Sequence, residues 1–343
     1  RQRQMCIRDS RLSDGQIMKA TVPLETGEGS ITTNIGAVRN TGIELGLNLG
    51  VIRNKNFTWD VNLAFARNWS KITELPNGDD VSNNWFIGER LNVLRDYTSA
   101  GIITTDGITM RTKDGDRHYT LQEVYDTFGP GGQGLKWYEG QMAVNDWNND
   151  GKINDEDKQI FGCTDPKWTG SLSSTMTYKG FDFSFMLYTK QGQWSRSYFH
   201  EQYMNYGDRG RQKVNFDYYI PAGTPVLDKN TGDVTYLSEA HIGKYPYPNN
   251  TEKTGGGYFS SSSAAVRYHK TSFVKVKNIT LGYTFPKAWL SKIAVKHLRL
   301  YVNVINPFCF TDYEGFDPEW ASANLTNGGP ASVTYQIGAN IKF

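Results

Sequence analysis

The stretch Ser332-Val333-Thr334-Tyr335-Gln336-Ile337-Gly338-Ala339-Asn340-Ile341-Lys342-Phe343 decides the fold. Val333, Tyr335, Ile337, Ala339, Ile341 and Phe343 fall on one parity, and Ser332, Thr334, Gln336, Gly338, Asn340 and Lys342 on the other. A strand repeats every two residues, so the segment has one apolar and one polar face over about ten residues, enough to cross a bilayer at a tilt. Strands of a soluble sandwich also alternate, but they usually run about five or six residues. Length and the aromatic end together predict a lipid-facing strand of a transmembrane barrel.

Upstream the pattern recurs. Ile43, Leu45, Leu47, Leu49 and Val51 form an apolar face that reappears, after Arg53-Asn54-Lys55-Asn56, as Phe57, Trp59, Val61, Leu63 and Phe65. This predicts a hairpin of two long strands. A second pair flanks Lys179-Gly180, where glycine gives the turn its freedom, with Leu172, Met176 and Tyr178 before it and Phe181, Phe183, Phe185 and Leu187 after it. A third joins the segment 273–285 to 295–305 through a short amphipathic turn or single helical turn after Pro286. A weaker strand signal lies near 16–22.

Composition agrees. Only 38% of residues are hydrophobic, yet there are 20 Tyr, 17 Phe, 9 Trp and 35 Gly, and mean hydropathy is −0.56. A barrel strand needs only half its residues apolar, and interfacial girdles enrich aromatics. No apolar run is long enough for a membrane helix. The net charge of +2 without a basic, aromatic-interleaved cluster argues against nucleic acid. Cys6, Cys163 and Cys309 are too scattered for a disulfide framework or zinc site. The intervening segments alternate between short turns and long excursions over about 69–167, 191–271 and 306–331, as expected of periplasmic turns and extracellular loops. The expected fold is all-β, an antiparallel transmembrane β-barrel with about eight membrane strands in this chain. The alternative is a secreted calcium-binding β-sandwich that binds or hydrolyses carbohydrate.

Asn34-Ile35-Gly36, Asn40-Thr41-Gly42-Ile43-Glu44, Asp165-Pro166-Lys167-Trp168, Asn278-Ile279-Thr280-Leu281-Gly282-Tyr283 and Tyr313-Glu314-Gly315-Phe316-Asp317-Pro318-Glu319 occur in this order. With the Asp-rich loop between them, they closely resemble the carboxy-terminal part of SusC/RagA-type TonB-dependent transporters. The resemblance covers residues 11–343. It implies a partial barrel out of about 22 strands closed around a plug that lies elsewhere in a larger protein. It also implies the outer membrane of a Gram-negative bacterium, a SusD-like surface lipoprotein as lid, the TonB complex as energy source, and oligosaccharide or peptide cargo. A terminal Phe343 facing lipid resembles the signal read by the barrel-assembly machinery. Residues 1–10, including Cys6, continue no strand pattern and read as an artefactual or divergent end.

Asp146-Trp147-Asn148-Asn149-Asp150-Gly151-Lys152-Ile153-Asn154-Asp155-Glu156-Asp157 fits a calcium loop. Calcium takes six to eight oxygens, which carboxylates at odd spacing on a wrapped loop can supply. Asp146, Asn148 and Asp150 would give side-chain oxygens, Lys152 a carbonyl, Asn154 a direct or water-mediated contact, and Asp157 a bidentate carboxylate, with Gly151 permitting the turn. The loop resembles dockerin-type sites, and a structural Ca2+ is expected; an Asx-rich surface turn without metal is the plainer alternative. Gly129-Pro130-Gly131-Gly132-Gln133-Gly134 matches a dinucleotide fingerprint only formally, because Pro130 lies within it and no βαβ context surrounds it. The histidines are isolated and no Gly-x-Ser-x-Gly elbow occurs, so no enzyme is expected. Trp194, Tyr198, Phe199, Tyr203, Tyr206, Tyr218 and Tyr219 make 191–271 the candidate ligand-facing segment, since aromatic faces with polar neighbours suit sugar rings. The bland reading is that these rings pack the loop on itself.

Overall fold

In the computed structural model, residues 36–129, 135, 138–200, 217–228, 230–247, 267–290, 295–322 and 331–343 are described in full, and 5–6, 11–14, 17–21, 30–34 and 201–203 by secondary structure alone. The elements in chain order are β1 (Met5–Cys6), β2 (Arg11–Asp14), β3 (Ile17–Thr21), β4 (Ser30–Asn34), β5 (Ala37–Arg53), β6 (Phe57–Glu74), β7 (Val93–Asp96), β8 (Ser99–Ile102), β9 (Ile108–Thr112), β10 (Gly115–Tyr119) and α1 (Leu121–Phe128). They continue as β11 (Met142–Val144), β12 (Gln159–Cys163), β13 (Trp168–Tyr178), β14 (Phe181–Gln191), β15 (Trp194–Arg196), α2 (Tyr198–Tyr203), β16 (Pro225–Leu227) and β17 (Val234–Tyr236). The last are β18 (Tyr268–Lys270), β19 (Phe273–Thr284), α3 (Lys287–Leu290), β20 (His297–Phe310) and β21 (Thr334–Lys342).

Seven long strands, β5, β6, β13, β14, β19, β20 and β21, lie side by side in that order, all antiparallel, with short β1 and β2 against β5. The register carries the alternation across the sheet. Leu47 faces Leu63, Leu63 faces Leu172 and Leu172 faces Leu187, so one surface is apolar from strand to strand. The opposite surface pairs Asn48 with Asn62, Thr58 with Thr177, and Asn303 with Gln336. No second sheet packs on the apolar surface among the described residues: Ile337 is 85% exposed, Tyr335 75% and Phe343 80%. A sandwich would bury that face, so the β-sandwich alternative is not what the chain forms.

All short connections fall at one end of the sheet. Asn54 Oδ1 accepts from the backbone N–H groups of Asn56 (3.0 Å) and Phe57 (2.7 Å), closing the first turn. Lys179 and Gly180 both take positive φ (46° and 93°), the two-residue geometry that matches the twist of flanking strands. The third connection holds α3, the short helical turn expected there. The long connections 75–167, 192–272 and 311–333 leave from the other end.

Two strands run further outward than the alternation predicts. β6 continues to Glu74, where Ile72 and Leu75 pack with Val38 in a small buried cluster, so the pattern there obeys a local core rather than lipid. β20 continues to Phe310 through Asn306-Pro307, which reads as a strand break. Val276 pairs with Phe308 and Asn278 with Ile305, so Asn306 and Pro307 oppose Lys277 in a bulge that spares proline a ladder N–H. The segment near 16–22 forms β3, paired with β4 in a separate ribbon.

The first long connection folds into a small body of its own. Ile103, Met110, Tyr119, Val124, Tyr138 and Val144 are its buried core. Thr120 caps α1 by accepting from Glu123 N while Glu123 reaches back to Thr120 N, a complete capping box.

Candidate functional site

The Asp-rich loop interrupts a strand pairing. β7 pairs with β12 and β8 with β11, and only Tyr97 and Thr98 separate β7 from β8. Val144 therefore sits opposite Ser99 and Gln159 opposite Asp96, and residues 145–158 bulge out between them. Asn145 anchors the foot: its Nδ2 donates to Thr98 Oγ1 (2.8 Å) and Ser99 O (3.1 Å), while its Oδ1 accepts from Arg111 N (2.8 Å).

Within the loop, Asp146 accepts from the N–H groups of Asp150 (3.2 Å) and Gly151 (3.0 Å). Asp157, at the end of a short 3-10 turn (Asp155–Asp157), accepts from Trp147 N (2.8 Å), Asn148 N (3.3 Å) and Asn154 N (2.8 Å). Asn148 Nδ2 donates to Asp150 (3.1 Å) and Glu156 (3.0 Å), and Asp150 Oδ1 accepts from Lys152 N (2.8 Å). Asn149 and Gly151 hold positive φ, 62° and 77°. Asp146 and Asp157 are both fully buried. Burial raises the Asp157 pKa above the ordinary aspartate value, and the neighbouring Asp146 charge adds to the rise against the backbone hydrogen bonds. Among the described residues no group of three or more His, Cys, Asp or Glu side chains converges on one point.

Two cavities open beside this loop. One, of about 400 Å³, is polar and lies between the loop's foot and the β9–β10 hairpin. Along β9, Ile108, Met110 and Thr112 are buried while Thr109 and Arg111 alternate outward, and Asp116 of β10 faces Arg111 across the ladder. The second, of about 490 Å³, is walled by Tyr97, Phe161, Trp194, Tyr268, His269 and Tyr313. Thr98, Ser99 and Phe161 line both, so they form one trough with a polar and an aromatic compartment.

The expected ligand-facing aromatics divide between lining and packing. Trp194 lines the aromatic compartment, with its ring 5.4 Å from Phe161 and Lys270 Nζ 5.6 Å from its centroid. Tyr198 lies under the Arg196 guanidinium. Phe199 is buried against Phe316, 4.7 Å between centroids. Tyr219 is fully buried and donates to Glu139 (2.5 Å), and Tyr218 packs beside it. The Tyr203 side chain and Tyr206 lie outside the described residues. So do residues 1–10 apart from the Met5–Cys6 strand, and most of the run 129–134.

Behind the trough, Ser197 Oγ lies 2.6 Å from both His200 Nδ1 and Tyr313 OH, and His200 stacks on His269 at 3.6 Å. Burial, with His269 and Lys244 nearby, pushes the His200 pKa down to about 2 and keeps the imidazole neutral. Tyr245 OH donates to Glu314, which also holds Lys244 at 2.6 Å. These groups fasten segments 197–200, 244–245 and 313–314 together. The segment 311–322 is tied to the wall by Lys275: its Nζ lies 2.9 Å from both Asp317 oxygens and 2.6 Å from Glu319, which Lys277 also reaches at 2.7 Å. The trough residues Arg111, Asp116, Phe161 and Tyr268 were not singled out by sequence. The β9 alternation could have pointed to Arg111, whereas the others meet only through tertiary packing.

An open antiparallel sheet with one uncovered apolar face, short turns at one end and folded excursions at the other defines the wall of a transmembrane β-barrel. No family model matches the chain. It is 27% identical over 362 residues to TonB-dependent receptor P39 of Formosa agariphila, covering 97% of this chain and 33% of that protein. It is 28% identical over 336 residues to TonB-dependent receptor SusC of Bacteroides thetaiotaomicron, covering 97% and 29%. The solved structure of the RagAB peptide transporter superposes with TM-score 0.61 at 19% identity over 97% of this chain and 32% of that one, which speaks for the fold. Along nearly its whole length the chain is similar to TonB-dependent receptors that include SusC, and its fold is similar to that of the RagAB transporter. It spans about a third of the length of the curated relatives it matches. Those relatives are named as receptors, not as enzymes.

Proposed function

We propose that residues 11–343 form part of the wall and the extracellular surface of a SusC-type outer-membrane importer in a Gram-negative bacterium. The observation that carries this is the uncovered apolar face running from β5 to β21 in register, in a chain similar throughout to TonB-dependent receptors. The complete protein takes up oligosaccharides, or peptides as the RagAB name states for that transporter, with a SusD-like lipoprotein as lid and the TonB complex acting on its plug region. The long connections 75–167, 192–272 and 311–333 are its outer loops. Fractionation of cells expressing the complete protein, followed by uptake of fluorescent oligosaccharides with and without an intact TonB complex, tests it. Recovery in the soluble fraction, or uptake indifferent to TonB, refutes it.

The loop from Asp146 to Asp157 is read as a structural Ca2+ site of that surface. Burial, with the neighbouring Asp146 charge, raises the cost of ionising Asp157, and a divalent cation bound by an all-oxygen donor set relieves it. Asp146, Asn148, Asp150, Lys152 through its carbonyl, Asn154 and Asp157 would hold the ion. Calorimetric titration of the chelator-treated protein with Ca2+, alone and as Asp146→Asn, tests this: saturable heat lost in the variant is expected, and its absence in the wild type sinks the reading.

A further inference from the structure

We propose that the outward face of β5, β6, β13 and β14 holds a phosphorylated glycolipid, with an acyl chain in a crevice over Gly170 and phosphates at Arg67 and at Lys71 with Arg39. That this lipid belongs to the outer leaflet rests on the importer reading; the crevice and the cations do not.

The crevice, of about 490 Å³, lies on the apolar side of the wall. Phe65, Gly170, Thr189 and Val274 stand opposite one another in a single row across four strands, and the glycine leaves a gap in that row. Phe65 and Trp168, with ring centroids 5.8 Å apart, wall one side. Leu63, Leu172 and Leu187 form the next row toward the short turns. Thr189 adds no free polar atom: its hydroxyl donates to Phe273 O (2.6 Å) and accepts from Gln191 Nε2 (2.7 Å), and its methyl group would lie 3.3 Å from a Cβ at Gly170. A hydrocarbon chain suits such a floor, whereas a polar headgroup would lose its hydrogen bonds there.

Cations stand just beyond the crevice. Arg67 is ten residues past Phe57 on β6, about 34 Å of strand and about 24 Å of depth at a tilt of about 45°, so it stands where an apolar band about 25 Å tall ends. Trp168, ten residues before Tyr178 on β13, reaches the same level, where an aromatic girdle belongs. Lys71 lies four residues further out, about 10 Å higher, with Arg39 opposite it across the ladder. All three are exposed and share the parity of the crevice residues, and among the described residues none of their side chains makes a hydrogen bond or an ion pair. Glu44 has the opposite parity, and Glu74 ends β6 beyond them. The Arg67 guanidinium lies over the Trp69 ring, 4.5 Å from its centroid. Stacking leaves its N–H edge free to grip a phosphate with two hydrogen bonds. Two tiers about 10 Å apart exceed the reach of the single phosphate of a diacyl phospholipid. A glycolipid phosphorylated at both ends of its sugar head meets both tiers while its chains stay in the apolar band.

The test uses the complete protein, stripped of lipid in detergent micelles and titrated with diphosphoryl lipid A under native mass spectrometry. Dephosphorylated lipid A and phosphatidylglycerol are the comparison probes. Diphosphoryl lipid A is expected to bind about tenfold or more tightly than either. Arg67→Gln, and Arg39→Gln combined with Lys71→Gln, should each weaken it by about tenfold, the loss typical of one charge-assisted hydrogen bond, and leave the dephosphorylated lipid unchanged. Gly170→Val fills the gap in the row and should weaken both forms of lipid A. Retention of the folded band on gel electrophoresis shows that folding is not the cause, and the cation variants, at exposed positions, test the site independently of any shift at Thr189. Equal affinity for phosphatidylglycerol, affinity for diphosphoryl lipid A untouched in the cation variants, or a protein dimer that Gly170→Val dissolves overturns the proposal, the last in favour of a second copy on this face. Recovery of the complete protein in the soluble fraction fails the importer reading, whereas membrane recovery with lipid A binding untouched in every variant fails the glycolipid site alone.

Discussion

Replacing Lys275 by methionine should release the segment 311–322 from the wall. Lys275 and Asp317 are both nearly inaccessible, with side chains 3% and 6% exposed, and Glu319 is 18% exposed. Methionine keeps the length of the side chain but leaves Asp317 buried without its cation, while Glu319 keeps Lys277. Removing one partner of a buried ion pair costs about 3–5 kcal/mol. Local opening should therefore become more frequent by a factor of about 100 or more, since each 1.4 kcal/mol is tenfold. Hydrogen exchange of the amides from Tyr313 to Trp320 in the complete protein reads this directly. Lys275→Met combined with Asp317→Asn should recover much of the protection, because the asparagine oxygen still accepts from Glu319 N, now 3.0 Å away, with no charge left unpaired. Exchange in Lys275→Met equal to wild type would refute the clamp. The pH dependence carries a sign as well. Burial raises the Glu319 pKa, but hydrogen bonds from Lys275 and Lys277 outweigh it and hold the group below its ordinary value of 4.5. Its stabilisation is thus complete above that value and is lost as pH falls through the lowered one, so protection should be flat from pH 6 to 8 and fall only in acid.

Other outcomes follow from single positions. An added Cβ at Gly338 would come within 2.3 Å of the Tyr301 ring, so Gly338→Val should destabilise the sheet by about 1–3 kcal/mol and lower the temperature at which the folded band is lost on gel electrophoresis. Tyr301→Ala should suppress most of that loss, and simple additivity would disprove the contact. Gly162→Ala should push Trp194 from the β12 ribbon, seen as a red-shifted tryptophan emission with barrel melting unchanged. Since the raised Asp157 pKa means that its ionised form is disfavoured in the ion-free fold, the ion-free loop should lose stability as pH rises through the aspartate range. Added Ca2+ should therefore raise the melting temperature at pH 7 and do little at pH 4, and equal shifts at both would contradict a carboxylate site.

The lipid-facing strands were legible because lipid imposes one rule at every second residue, and from Leu45 to Val61 and from Leu298 to Val304 nothing competes with it. Legibility ended where another neighbour set the rule. Ile72 answers to Val38 and Leu75, and the bulge opposite Lys277 lets a proline sit inside β20. The calcium-like spacing was readable because the residues that make it up are local in sequence. The trough was not, since Arg111, Phe161 and Tyr268 are brought together by three separate ribbons. The aromatic richness of 191–271 suggested contact with ligand, yet a ring that stacks on Phe316 and one that touches a sugar look alike in a sequence.

The placement of the loop 145–158 has a consequence for how such a surface changes over time. Its two ends rest on Ser99 and Asp96, three residues apart on a nearly continuous strand, or about 10 Å. Whatever lies between those ends is therefore an exchangeable cassette: it can be lengthened, shortened or swapped while the β7–β8 backbone and the wall beneath keep their hydrogen bonds. Recognition can then diversify at this point without the membrane-embedded part having to be solved again.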